Sequence, residues 1–255
     1  MKITFLGTGT SQGVPVIGCD CEVCLSTDSK DVRLRTSVMI ESETTTIVID
    51  SGPDFRQQML RAGVKKLDAL LFTHSHKDHV AGMDDIRAFN YLQKKAIDIY
   101  ATEATQQVLR REFEYVFSGV YYPGIPEINL HTFQAKDEIV IGDIRLKTIE
   151  VMHYKMPVIA FIINELAYIT DANYISPATM KAIENSNILI LNALRREPHI
   201  SHFTLSEAIE IASKTQAQKV YFTHISHQLG LHASVCEELP EGIQLAYDNL
   251  QLEFT

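Results

Sequence analysis

His74-Ser75-His76-Lys77-Asp78-His79 is the stretch that decides how this chain is read. Three imidazoles and a carboxylate fall within six residues, and all are ligands for divalent ions such as zinc, manganese or iron. The stretch follows Leu67-Asp68-Ala69-Leu70-Leu71-Phe72, an apolar run suited to a buried strand. After it, Val80, Met83, Ile86 and Phe89 recur at helical spacing. A turn between strand and helix can point several ligands inward, whereas a solvated polar loop has no need of such density.

Working outward, His153, Asp171 and His224 each fall at the end of a predicted strand, a placement that suits ligands converging on one sheet edge. The sequence predicts strands over Ile3–Leu6, Ser37–Ile40, Thr46–Asp50, Ile188–Leu191 and Val220–Thr223. It predicts hairpins of Glu138–Ile141 with Ile144–Val151 and of Val158–Ile163 with Leu166–Thr170. Thr102–Phe117 reads as a helix, Tyr121–Pro126 as a loop, and Ser176-Pro177 as a capped helix start. Thr204-Leu205-Ser206-Glu207 is a capping box with Leu205, Ala208, Ile209 and Ala212 on one apolar face behind it. Strand-rich halves that each carry helices later in sequence point to an α/β protein, two facing sheets with helices outside, an αββα sandwich in one domain over residues 1–255. A doubly wound sheet is the other reading of the pattern.

Apolar residues make up 45% and charged residues 22% of the 255, which is ordinary globular usage. No apolar run is long enough to cross a bilayer, and the start lacks a signal-peptide pattern, so a cytoplasmic protein is expected. The net charge of −9 disfavours a broad face for extended nucleic acid but leaves room for a small anionic substrate beside metal ions. Cys19-x-Cys21-x2-Cys24 offers three thiolates to a structural zinc, which takes four ligands. His227, His232, Cys236 or a carboxylate could be the fourth. Gly7-x-Gly9-x3-Gly13 has the wrong spacing for a dinucleotide loop and reads as a turn leading to the cysteines.

The motif His74-x-His76-x-Asp78-His79 resembles the hallmark of the metallo-β-lactamase superfamily. The resemblance implies that fold and two active-site ions of manganese, zinc or iron. One would be held by His74, His76 and His153, the other by Asp78, His79 and His224, with Asp171 bridging. Such a pair shares a water of lowered pKa that can attack phosphorus. Asp50 resembles the family's carboxylate that orients a ligand histidine; a turn cap is the alternative. Cys19, Cys21 and Cys24 together with Thr223-His224-Ile225-Ser226-His227-Gln228 are similar to the PhnP-like phosphodiesterases of cyclic ribose phosphate, which implies that His227 completes the zinc site. Gly7–Pro15 and Leu239–Gly242 extend that likeness over nearly the whole chain.

His202-Phe203-Thr204 resembles the phosphodiesterase branch, which implies that His202 contacts the scissile phosphate or acts as the acid, with Asp78 the alternative proton-transfer residue. Asn192 stands where the PhnP-like branch carries an Asp. His131, His199 and His232 read as surface residues. The expected activity is hydrolysis of a small phosphodiester, a cyclic ribose phosphate or nucleotide. Alternatives are a transfer-RNA 3′-processing endonuclease, a thioesterase or lactonase, and a non-hydrolytic protein of cofactor biosynthesis. The Tyr121–Pro126 loop is open to being a lid or an oligomer contact, and a homodimer is left open with it.

Overall fold

A computed structural model of the chain describes residues 1–119 and 122–255. The first half runs β1 (Lys2–Gly7), β2 (Ser37–Glu41), β3 (Thr46–Ile49), α1 (Phe55–Arg61), β4 (Ala69–Leu71), α2 (Lys77–Val80), α3 (Arg87–Gln93), β5 (Ile97–Ala101), α4 (Glu103–Glu112), α5 (Glu114–Phe117) and β6 (Ile128–Thr132). The second runs β7 (Glu138–Ile141), β8 (Ile144–His153), β9 (Met156–Ile163), β10 (Leu166–Tyr168), α6 (Pro177–Ile183), β11 (Ile188–Asn192), α7 (Leu205–Ser213), β12 (Lys219–Thr223), α8 (His232–Glu238), β13 (Ile243–Leu245) and β14 (Gln251–Glu253). Among the described residues there are two seven-stranded sheets, ordered β14-β1-β2-β3-β4-β5-β6 and β13-β12-β11-β10-β9-β8-β7.

Strand periodicity explains the layering. Ile47, Ile49, Ala69 and Leu71 of the first sheet share a core with Phe161, Tyr168, Ile188 and Ile190 of the second. The alternate residues Val48 and Leu70 turn outward onto Phe55, Met59, Phe89 and Leu109 of α1, α3 and α4. Leu189, Leu191 and Phe222 turn outward onto Ile183, Leu205, Ala208 and Val235 of α6, α7 and α8. Central strands covered on both faces must be apolar at every position, which is why they read as runs and not as alternations. The result is the αββα sandwich, not the doubly wound sheet.

Parallel pairing carries β3 through β6 and β10 through β13, so these strands end at a common edge. The local departures from expectation lie near that edge. The Val80–Phe89 periodicity does not give one helix: it is split into α2, a 3-10 turn at Met83–Ile86, and α3. Gly82 permits the break, because a Cβ there would lie 2.1 Å from the Gly52 carbonyl oxygen. The Thr102–Phe117 helix is interrupted at Phe113, whose ψ of 42° leaves the helical region. Strands β8 and β9 are longer than expected and form a hairpin that the sequence reading did not pair, with His153 opposite Met156 across a two-residue turn. Tyr154 takes φ +57° there, as such a tight turn demands. In the Tyr121–Pro126 loop, Tyr121 lies outside the described residues.

Candidate metal centre

The common edge gathers the predicted ligands. His76 stands at the N-cap position of α2, which carries Asp78 and His79. Asp50 follows β3 and His224 follows β12 directly, both with positive φ. His79 Nε2 lies 3.2 Å from Asp171 Oδ2 and 3.3 Å from Asp78 Oδ2. His224 Nε2 lies 3.1 Å from Asp171 Oδ1 and 3.7 Å from Asp78 Oδ2. Asp78, His79, Asp171 and His224 thus have donor atoms within 4.8 Å of one another, a set able to hold an ion. On the other side of Asp171, the rings of His74 and His76 are 4.7 Å apart and those of His76 and His153 5.0 Å. The tight donor set on this side is His153, Asp171 and His202. Asp171 is therefore shared by both donor sets, with Oδ1 beside His202 and His224 and Oδ2 beside His79.

The fit to divalent ions can be judged from unpaired atoms. His74 Nε2 and His224 Nδ1 are buried without a hydrogen-bond partner, and His79 Nε2 and His224 Nε2 face the Asp78 and Asp171 carboxylates without hydrogen-bond geometry. Burying polar atoms unpaired is unfavourable unless something else satisfies them, and coordination would. The opposite nitrogens of three rings are already fixed. His79 Nδ1 donates to Asp50 Oδ2 at 2.7 Å, and His153 Nδ1 donates to the Ser201 carbonyl at 2.8 Å. His74 Nδ1 lies 2.9 Å from Thr73 Oγ1, which donates to Asp50 Oδ2 at 2.8 Å. Each tie turns Nε2 toward the cluster. Asp50 is thus an orienting carboxylate and not a turn cap.

The site's electrostatics follow from burial and opposed charges. Burial drives His74 well below the ordinary histidine range. At His79 burial acts in the same direction, but the carboxylates of Asp171, Asp50 and Asp78 outweigh it and hold the ring well above that range. His224 is likewise raised to about 9, burial being overcome chiefly by Asp171. Burial would raise Asp171, yet His224 and His79 hold it well below the usual carboxylate range. Protons held this way are those that a divalent cation displaces.

His202 Nε2 lies 3.2 Å from Asp171 Oδ1, and burial pushes the ring down to about 4. Its Nδ1 lies 3.0 Å from His199 Nδ1. His199 is therefore not a plain surface residue, because a neighbouring imidazole occupies its ring nitrogen. His232 is buried, and its Nδ1 accepts from the Arg33 guanidinium at 3.2 Å. His131 does sit at the surface side of its strand, with Nε2 2.8 Å from Asp98. Sequence reading noted the departure at Asn192 but not its role. Asn192 Oδ1 accepts from the Ala172 amide at 2.7 Å, and its Nδ2 donates to the Ala172 carbonyl at 2.9 Å. A neutral amide supplies both bonds and fixes the backbone next to Asp171.

The cysteine cluster is assembled beside this edge. His227 Nδ1 lies 3.3, 3.2 and 3.5 Å from the sulfurs of Cys19, Cys21 and Cys24. Ordinary zinc–ligand bonds in a tetrahedron give sulfur–nitrogen edges of roughly 3.6 Å, so the four atoms have the right spacing. Of the candidate fourth ligands, His227 is the one that joins the thiols. The amide of Cys24, donating to Cys21, leads the effects that bring that thiol down to about 6. The Thr10 amide donates to the Ile225 carbonyl at 3.0 Å, and the Ile225 amide donates to the Thr8 carbonyl at 2.9 Å. The glycine-containing turn that leads to the cysteines is thereby tied to the His224 loop.

The beta-lactamase superfamily domain matches residues 45–225. A crystal structure of a diphosphatase from the PhnP family superposes with a TM-score of 0.93 and 40% identity, covering 100% of this chain and 98% of that one. Zinc-bound PqqB from Methylobacterium extorquens superposes with a TM-score of 0.79 at 17% identity, covering 100% of both chains, a likeness of fold alone. An octanoyltransferase of Porphyromonas gingivalis is 37% identical over 98% of this chain. The chain spans about half of that relative, 51% of its length.

Proposed function

The chain belongs to the beta-lactamase superfamily, and from that premise we propose that it hydrolyses small phosphodiesters. Its likeness to a PhnP-family diphosphatase supports a phosphoryl substrate. The observation that carries the reading is His202, 3.2 Å from Asp171 and grouped with His153, an imidazole additional to the seven residues that would hold the ions. An acyl hydrolase has no evident use for an imidazole there.

His74, His76, His153 and Asp171 would hold one divalent ion, and Asp78, His79, His224 and Asp171 the other. Bound, such ions supply a water of lowered pKa and positive charge for phosphate oxygens. This chain's own residues do the rest. Asp50 and Thr73 keep His79 and His74 in the tautomer that faces the site. His202 enters neutral, because burial lowers its pKa, and donates a hydrogen bond from Nε2 toward a phosphate oxygen. An anionic substrate raises the proton affinity of that ring, so it takes up a proton from solvent on substrate binding and, as imidazolium, gives one to the departing oxygen and returns to neutral. Asp78 is the second group able to move a proton. Cys19, Cys21, Cys24 and His227 would hold zinc and brace the His224 loop. The net charge of −9 favours a compact anionic substrate held locally over extended transfer RNA.

The test is a panel assay of metal-loaded protein. Bis-p-nitrophenyl phosphate, a cyclic ribose phosphate, a diphosphate ester, an octanoyl thioester and a lactone are compared by kcat/KM. The octanoyl thioester is included because the half-covered relative is named an octanoyltransferase. Preference for the phosphodiesters by at least about a hundredfold, the scale on which a site built for one group rejects another, is expected. Preference for the thioester or lactone would overturn the reading.

A further inference from the structure

His153 at the end of β8, Asp171 and His202 come from three separate segments, and one side chain from the Asp171 segment bonds to both of the others. Asn173, two residues past Asp171, accepts from the Tyr154 amide through Oδ1 at 2.7 Å. Its Nδ2 donates to the Ile200 carbonyl at 3.1 Å. Tyr154 follows His153 at the tip of the β8–β9 turn, and Ile200 lies two residues before His202. The Asn173 amide also donates to the Met152 carbonyl at 2.9 Å, which fixes its own loop against β8. Beside these bonds, His153 Nδ1 donates to the Ser201 carbonyl at 2.8 Å. The 200–201 carbonyls are thus held from two directions, by a ligand histidine and by Asn173.

We propose that Asn173 is a positioning residue that sets His202 relative to His153 and Asp171. The position calls for an amide, since one acceptor and one donor are used at once. An Asp would keep the bond from Tyr154 and lose the one to Ile200, and would set a carboxylate against that carbonyl. Asn173 is half-buried, so its removal leaves no sealed orphan and the fold survives. What changes is the freedom of the 199–203 segment. Displacement of a group by an ångström can slow a reaction by as much as about a hundredfold.

The kinetic part of the test rests on the phosphodiester reading; the exchange part does not. Asn173→Asp and Asn173→Ala are prepared with wild type, and fold, metal content, amide hydrogen exchange and turnover are compared. Both variants should keep the wild-type metal content. Amides of residues 199–203 should exchange about fivefold faster, the factor that one lost hydrogen bond represents, while residues 19–24 stay unchanged. Turnover of an alkyl diester should fall about tenfold with KM little altered, and that of an aryl diester less than about twofold, because a good leaving group needs less help from His202. Unchanged exchange at 199–203, or equal losses on both diesters, overturns the proposal. If wild type turns over neither diester, the phosphodiester reading fails and the exchange measurement alone still decides whether Asn173 holds the loop.

Discussion

Asp50, Asp171 and His224 all adopt left-handed backbone, with φ of 66°, 55° and 56°. Non-glycine residues rarely hold this conformation without surrounding bonds to enforce it, and such positions gather at functional sites. At Asp171 the enforcement comes from the grip of Asn192 on Ala172. Asn192→Asp tests this. To keep both bonds the new carboxyl must stay protonated, and burial favours that form, as it does at Asp50. The folded-state pKa of the new group is therefore raised above the unfolded value of about 3.9. Its stability matches wild type below that pH and is lost as pH rises toward the folded pKa, at up to about 1.4 kcal/mol per pH unit. Denaturant unfolding of metal-stripped protein from acid to neutral pH should show a gap from wild type that widens with pH; a constant gap would contradict the assignment. The donor residues themselves were legible in the sequence because imidazoles and carboxylates at ligand spacing announce their chemistry. Asn173 and Asn192 were not, since an amide that holds backbone leaves no spacing pattern, and the departure at position 192 was noticed without its purpose. His232 was misread because its partner, Arg33, is distant in sequence.

At the level of elements, the longer strands and capped helices could be read because local chemistry fixes them. Thr204 and Glu207 do form the full capping box, and the Thr179 amide donates to Ser176. The elements left unseen carry weaker local signals. β13 and β14 have three residues each, too few for a period to show, and both are set by pairing with distant strands. Helix α1 has no side-chain cap. The break after α2 is enforced by contact with Gly52, where a Cβ would stand 2.0 Å from the Asp78 carbonyl oxygen. The cysteine segment is an element whose stability comes from its ligands. Cys21→Ala should lose zinc and lower the unfolding temperature by roughly 4–8 °C, about 2 kcal/mol for a chain of this size. Calorimetry alongside zinc analysis checks this, and an unchanged melting temperature with full zinc would show that the cluster does not brace the fold.

Across the whole molecule, two sheets arrive at one edge from opposite halves of the chain. β3 and β4 lead to Asp50 and the His74–His79 turn, while β8, β10 and β12 lead to His153, Asp171 and His224. The Asp78, His79, Asp171 and His224 donor set draws on both halves, so it exists only when the sandwich has closed. This convergence was foreseeable from ligands at strand ends, whereas the distances around Asp171 had to come from the structure. The central claim is that these halves hold two ions that act together on a phosphodiester. Stripping the removable metal and titrating it back while following bis-p-nitrophenyl phosphate turnover tests it most directly. Activity should rise to a plateau at two equivalents per chain with the cysteine-site zinc retained throughout; full activity at one equivalent, or no phosphodiester turnover at any loading, would contradict the two-ion mechanism.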